Sequence, residues 1–168
     1  MVSGFLSPYE RVAFTGKAGV GKTTSANYLA LNYGFQVISF AGKLKEIARE
    51  LFPEAFENGE KPRVLFKVLG AKMREIDPDV WAKYLVHQLK PNVKYAIDDL
   101  QYKNEEWYVK QNGFVIIKII GPQRVSMPPG AKKHPSELEV DLIKPDFVIE
   151  NLGTLNDLYR QIDKIIFN

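Results

Sequence analysis

Residues 16 to 24 read GKAGVGKTT, and an apolar run, RVAFT (11–15), leads directly into them. Glycines permit positive φ and a bare backbone, so successive N–H groups can converge on the oxygens of an anion. A helix expected to begin near Lys22 would aim its positive N-terminal end at the same oxygens. Gly16-Lys17-Ala18-Gly19-Val20-Gly21-Lys22-Thr23 fits G-x-x-x-x-G-K-[ST], the phosphate-cradling P-loop motif, in which the lysine reaches the β/γ-phosphates and the hydroxyl helps to hold Mg²⁺. Gly16, Ala18, Gly19, Val20, Gly21, Lys22, Thr23 and Thr24 are therefore the candidate residues for binding ATP. Lys22 is assigned a catalytic role and Thr23 a place beside the metal. Chance produces such a motif in roughly one chain in two hundred of this length, and here the expected strand precedes it and the expected helix follows.

A nucleotide-bound Mg²⁺ calls for an acid at the end of a neighbouring strand. The run KYAIDD (94–99) ends in Asp98 and Asp99. Aspartates at strand ends also serve simply as turn formers. The residues themselves leave the choice between the two open.

These groups need a scaffold. RVAFT (11–15), FQVISF (35–40), KYAIDD (94–99), FVIIKII (114–120) and DFVIEN (146–151) are short, rich in Val, Ile and Phe, and mostly continuous rather than alternating. That is the pattern of strands buried on both faces of a parallel sheet. Helical patterns lie between them at 22–33, 43–52, 62–75, 78–89, 105–112 and 154–166. Strands alternating with helices predict a doubly wound α/β domain. Two stretches break the alternation. Residues 41–91 carry three helical segments and no strand. Residues 121–145 hold five prolines and two glycines among several basic residues, and so long a loop inside a compact domain is usually functional.

With 168 residues, 45% hydrophobic and 26% charged, the chain has the balance of one soluble globular domain. No cysteine is present and there are two histidines, which excludes disulfides, thiolate metal sites and histidine-rich clusters. A net charge of +3 suits a small polyanionic ligand but falls short of the dense basic face of a nucleic-acid binder, so no stable nucleic-acid partner is expected. The N-terminus lacks a basic region followed by an apolar one, and no apolar run approaches the roughly 20 residues of a bilayer span. A soluble cytoplasmic protein without a membrane partner is expected, in the host cytoplasm if a phage encodes it. A homodimer is the candidate assembly, and the oligomeric state stays open.

A GTPase would carry an N-K-x-D base-reading sequence, which is absent. A helical insertion after the second strand and a Pro/Arg/Lys-rich segment before the last fit small kinases of nucleotides. The segments GKAGVGKTT, FQVISFAGKLKEIA, RVLFKVLGAKMREIDPDVWAKYL, AIDDLQYKNEEWYVKQNG and HPSELEVD…FVIENLGTLNDLYRQI together resemble the phage-type deoxynucleoside monophosphate kinases over almost the whole chain. The segments R-x-L-x-x-x-x-G-x-x-x-R-x-x-x-P-x-x-W and D-x-x-x-x-N-E carry most of that resemblance.

The resemblance implies a three-layer P-loop kinase fold of α/β class. It would have a five-stranded, mainly parallel sheet, a helical acceptor-binding insertion (41–91) and a lid (121–145), all in one domain. It implies ATP and Mg²⁺ as cofactors and a deoxynucleoside monophosphate as substrate. Carried over by position, Lys45, Arg63, Arg74 and Trp81 belong near the acceptor, Arg74 and Arg124 join Lys22 and Asp99 as catalytic groups, and Asp99 joins Thr23 at the metal. Asn104 and Glu105 follow the strand-end acid. Two departures stand near the acceptor: Gln101 replaces an arginine two residues after that acid, and Gly42 replaces an acid in the F-A-D stretch. A P-loop kinase of another small acceptor and a non-catalytic ATP-binding regulatory module remain as alternatives.

Overall fold

The computed structural model describes residues 8–124 and 135–167. Five strands, β1 (Arg11–Thr15), β2 (Gln36–Ile38), β3 (Tyr95–Leu100), β4 (Val115–Ile120) and β5 (Phe147–Glu150), form one sheet in the order β2-β3-β1-β4-β5. Every pairing is parallel, with Val12 opposite Ala96 on one side and Val115 on the other.

The helices are α1 (Lys22–Tyr33), α2 (Ala41–Leu51), α3 (Arg63–Ile76), α4 (Val80–His87), α5 (Lys103–Gln111), α6 (Pro135–Glu139) and α7 (Leu155–Phe167). Short 3-10 turns lie at Pro53–Phe56 and Val140–Leu142. The expected elements are all present, with ends moved by at most two residues.

The continuous apolar runs are explained by two cores. Val12, Phe14, Ala96, Ile117 and Ile149 face α1 and α7, where Leu29, Leu158, Ile162 and Ile166 complete one core. Ala13, Ile97 and Ile116 face the other way, against Phe40, Leu44, Trp81, Leu85 and Val109 from α2, α4, α5 and their flanks. Alternate residues of a strand point to opposite faces, so a strand covered on both sides must be apolar at both. At about 25 cal/mol per Å² of buried apolar surface, this double burial is the main stabilising term.

One irregularity matters for the site. Ala13 pairs with Ile97 but Thr15 pairs with Leu100, so β3 carries an extra residue where Asp98 and Asp99 stand. A bulge of this kind re-aims the side chains around it.

Candidate active site

The glycine loop joins β1 to α1 at the C-terminal edge of the sheet. Gly16 has φ 143°, and a Cβ there would meet the Ile119 carbonyl oxygen at 2.4 Å. Gly21 has φ 113°, and a Cβ would lie 2.8 Å from the Asn151 amide nitrogen. Neither position accepts a side chain.

The outward-facing groups of the loop are tied down. Lys22 Nζ donates to the carbonyls of Gly16 and Lys17, both at 2.8 Å. The Arg124 backbone N–H donates to Gly19 O at 3.2 Å, and Asn151 Nδ2 donates to Val20 O at 2.8 Å. Ser25 donates to Gly21 O from both its N–H and its hydroxyl. Ala18 N–H donates to Glu137 Oε1 at 3.2 Å. Among the described residues no hydrogen bond uses the N–H groups of Gly19, Val20 or Gly21. Those donors are left for an anion.

A cavity of about 290 Å³ opens on this side, lined by Gly19, Gly21, Lys22, Thr23 and Thr24 from the loop and helix, and by Arg124, Asn151, Leu155 and Leu158 opposite. Lys22 is 9% exposed. Burial lowers its pKa, while the charges of Glu137, Asp99 and Asp98 work the other way.

The structure separates the two aspartates. Thr23 Oγ1 donates to Asp98 Oδ2 at 3.0 Å. Asp99, the acid the sequence reading placed at the metal, points instead to the other side of β3. Its two oxygens accept the backbone N–H groups of Phe40 (2.8 Å) and Ala41 (3.0 Å). It thus caps α2, whose own N-cap residue Phe40 has no side chain to do so. Desolvation, with the Asp98 charge beside it, pushes the Asp99 carboxyl up to about 6. The acid standing beside Thr23 is Asp98, because alternation along β3 puts it on the α1 face with Ala96 and puts Asp99 on the other face with Ile97.

Among the described residues no cluster of three or more acidic, histidine or cysteine side chains could hold a metal ion. The Thr23–Asp98 pair offers hard oxygen donors, a set that fits Mg²⁺ when phosphates and water supply the other ligands.

The remaining expected residues divide. Arg74, in the last turn of α3, lies over the ring of Tyr102 with its guanidinium carbon 4.5 Å from the centroid. Tyr102 immediately precedes α5 and follows the aspartate pair, so Arg74 is brought to the strand ends. Lys45 is exposed on α2, and its charge reaches Asp99. Arg63 is exposed at the opposite end of α3 from Arg74, roughly 16 Å of helix axis away at 1.5 Å per residue. The structure does not bring the two arginines together.

Trp81, expected to face the acceptor, is 4% exposed and belongs to the core beneath α2 and α4. Arg124, expected over the transferring phosphoryl group, is in the wall of the loop cavity, and its guanidinium donates to Asn151 O at 3.3 Å. Residues 125–134 of the expected lid lie outside the described residues.

Asn104 and Glu105 are scaffolding. Asn104 Nδ2 ties α5 to the turn before α4 through Pro78 O and Asp79 Oδ1. Glu105, 3% exposed, accepts the N–H groups of Gln101 and Tyr102. Desolvation and the nearby Asp99 charge push its carboxyl up to about 8.

Sequence reasoning missed Asn151 and Glu137. Asn151 ends the run DFVIEN, and Glu137 sits in HPSELEVD. Position at a strand end was the only signal for the first, and membership of a motif the only signal for the second.

Fold and glycine loop together define an α/β protein of the P-loop type. Solved structures with the same fold include the dephospho-CoA kinase of Campylobacter jejuni (TM-score 0.57, 18% identity, 94% of this chain and 98% of that one). The shikimate kinase of Aquifex aeolicus is another (TM-score 0.55, 16% identity, 94% and 99%). No family model matches the chain. More specific is a protein of Acanthamoeba polyphaga mimivirus described as a "putative deoxynucleotide monophosphate kinase". It is 29% identical over 189 aligned residues, which cover 94% of this chain and 96% of the relative. The resemblance read from the motifs is matched by this relative along nearly its whole length. No helix among the described residues is long and apolar enough to cross a membrane.

Proposed function

We propose that this chain transfers the γ-phosphoryl group of ATP to a deoxynucleoside monophosphate, giving ADP and the diphosphate. The observation that carries the reading is the loop cavity. Gly19, Gly21, Lys22, Thr23 and Thr24 line it together with Arg124, Leu155 and Leu158, and Thr23 is paired with Asp98. Polar loop groups suit the triphosphate, and the leucines suit the base. The near full-length likeness to the mimiviral protein supplies the acceptor class.

The chain's own groups would act by position and field. The loop N–H groups and the α1 N-terminus hold the phosphates, and Lys22 leaves the Gly16 and Lys17 carbonyls to follow the charge that moves toward the bridging oxygen. Thr23 and Asp98 would hold Mg²⁺, which neutralises the β- and γ-oxygens when bound. Arg74 offers a planar fork to the acceptor phosphate, whose oxygen is already ionised and needs no base. Residues 41–91 form the acceptor side. Lys45 and Arg63 lie on that acceptor side.

A coupled ADP-release assay with each common nucleoside and deoxynucleoside monophosphate tests the reading. Mg²⁺-dependent turnover with deoxynucleoside monophosphates is expected. ATP binding without release of ADP for any small acceptor would replace it with the regulatory-module reading.

A further inference from the structure

The segment α6 and the 3-10 turn after it do not line the cavity, yet they hold the first half of the glycine loop. Glu137 is 6% exposed. One of its oxygens accepts Ala18 N–H at 3.2 Å, and the other accepts Gln123 Nε2 at 3.4 Å. Lys17 Nζ donates to the Glu137 backbone carbonyl and pairs with Asp141 at 2.8 Å. The segment is in turn anchored to the acceptor side. Glu139 accepts Lys103 N–H at 3.1 Å, and Ser136 is hydrogen-bonded to Tyr102, the residue under Arg74.

Two roles are open to a carboxylate on such a loop. It could compete with phosphate for the loop's N–H groups, or it could hold the loop in shape from outside. The hydrogen bonds favour the second. Among the loop N–H groups Glu137 takes only that of Ala18, and those of Gly19, Val20 and Gly21 donate to no described residue. The donors left for an anion are therefore not the one Glu137 holds.

We propose that Glu137 is a positioning residue for nucleotide binding: by holding Ala18 N–H, it fixes the first half of the glycine loop in its phosphate-ready shape. The proposal rests on the nucleotide-binding half of the preceding reading and does not require the acceptor to be known. A buried carboxylate with one oxygen on a loop amide and the other on a side-chain amide leaves the loop one conformation. A shorter or absent side chain leaves Ala18 N–H without its partner and the loop with several.

The test is the dissociation constant of Mg-ATP for the full chain, measured by calorimetry without acceptor, with thermal unfolding recorded in parallel. Glu137→Ala and Glu137→Asp both lose the reach to Ala18, the second while keeping the charge, and each is expected to weaken binding about tenfold. Glu137→Gln keeps the reach and an acceptor oxygen for Ala18, and Gln123 can turn its amide to match. It is expected to stay within about threefold of wild type. If Glu137→Ala does not fold, the Asp and Gln variants decide. An unchanged constant in Glu137→Asp overturns the proposal. So does tighter binding in Glu137→Ala or Glu137→Gln, which would make the carboxylate a competitor of phosphate. Binding in Glu137→Gln as weak as in Glu137→Asp overturns it too. A wild-type chain that binds no Mg-ATP would sink the nucleotide reading and this proposal together, whereas binding by wild type with an unaffected Glu137→Asp sinks this proposal alone.

Discussion

Around the glycine loop the carbonyls of Gly16, Lys17, Gly19, Val20 and Gly21 each accept a hydrogen bond, and the N–H of Ala18 donates one. On the side proposed for the acceptor Lys45 and Arg63 stand in solvent, and Arg74 rests on one aromatic face. The glycine loop is built before any ligand arrives. Helices α2 and α3 carry their cations without fixing where the charges of Lys45 and Arg63 point. A preorganised loop loses little freedom on binding, whereas long exposed side chains lose rotamer entropy when a phosphate collects them. Single substitutions should therefore be most damaging at the loop and more graded among the helices.

The largest expected effect is at Lys22. Lys22→Ala removes the buried cation of the loop and should lower kcat by orders of magnitude while circular dichroism and the melting curve stay close to wild type. Near-normal turnover in the folded variant would break the comparison at its strongest point.

The aspartate pair comes next and separates chemistry from scaffold. Asp98→Asn should raise the Mg²⁺ requirement and cut kcat about tenfold to a hundredfold with little change in stability. Asp99→Asn should do the reverse. An amide cannot accept with both of its heavy atoms, so one N–H at the start of α2 loses its partner, at about 1–2 kcal/mol of stability. Mg²⁺ titrations and urea unfolding of both variants read the two effects separately.

Arg74 tests the acceptor side. Loss of a charge-assisted contact costs roughly 1.5–3 kcal/mol, so Arg74→Ala should raise the acceptor KM about tenfold to a hundredfold with the ATP KM nearly constant. Arg124→Ala should show the mirror image, because that side chain lines the loop cavity. Arg63→Ala should change neither by much. If Arg74→Ala weakens ATP instead, the division into two sides is wrong.

The smallest effect is on stability and sharpens the boundary between the sides. The Glu105 carboxyl is raised from 4.5 to about 8, so the folded protein keeps a proton that the unfolded chain has lost over that window. The stability contribution is present below the lower value and is lost as pH rises toward the upper one. Glu105→Gln should flatten the fall in stability across this window in urea unfolding, since an amide oxygen can still accept from Gln101 and Tyr102. The residual slope below about pH 6 then belongs to Asp99, whose raised carboxyl has the same sign. An unchanged slope would show that Glu105 does not hold its proton.

The amino-acid sequence by itself determined the loop, the five strands and the alternation with helices. Each of those rests on local chemistry: glycines where φ is positive, a lysine and a threonine at fixed distance, and apolar residues at both parities of a strand covered on two faces. Burial and pairing were decided only by the tertiary structure. Which aspartate meets Thr23 depended on which face of β3 packs against α1, and that is the face of Ala96 and Asp98. Trp81 and the arginines looked alike as members of one motif, yet packing put the tryptophan in the core and left Arg63 at the far end of the helix from Arg74. The grip of Glu137 on Ala18 joins residues more than a hundred positions apart. No period or spacing in a sequence encodes such a contact, because it exists only once the sheet has brought both ends of the chain to the same edge.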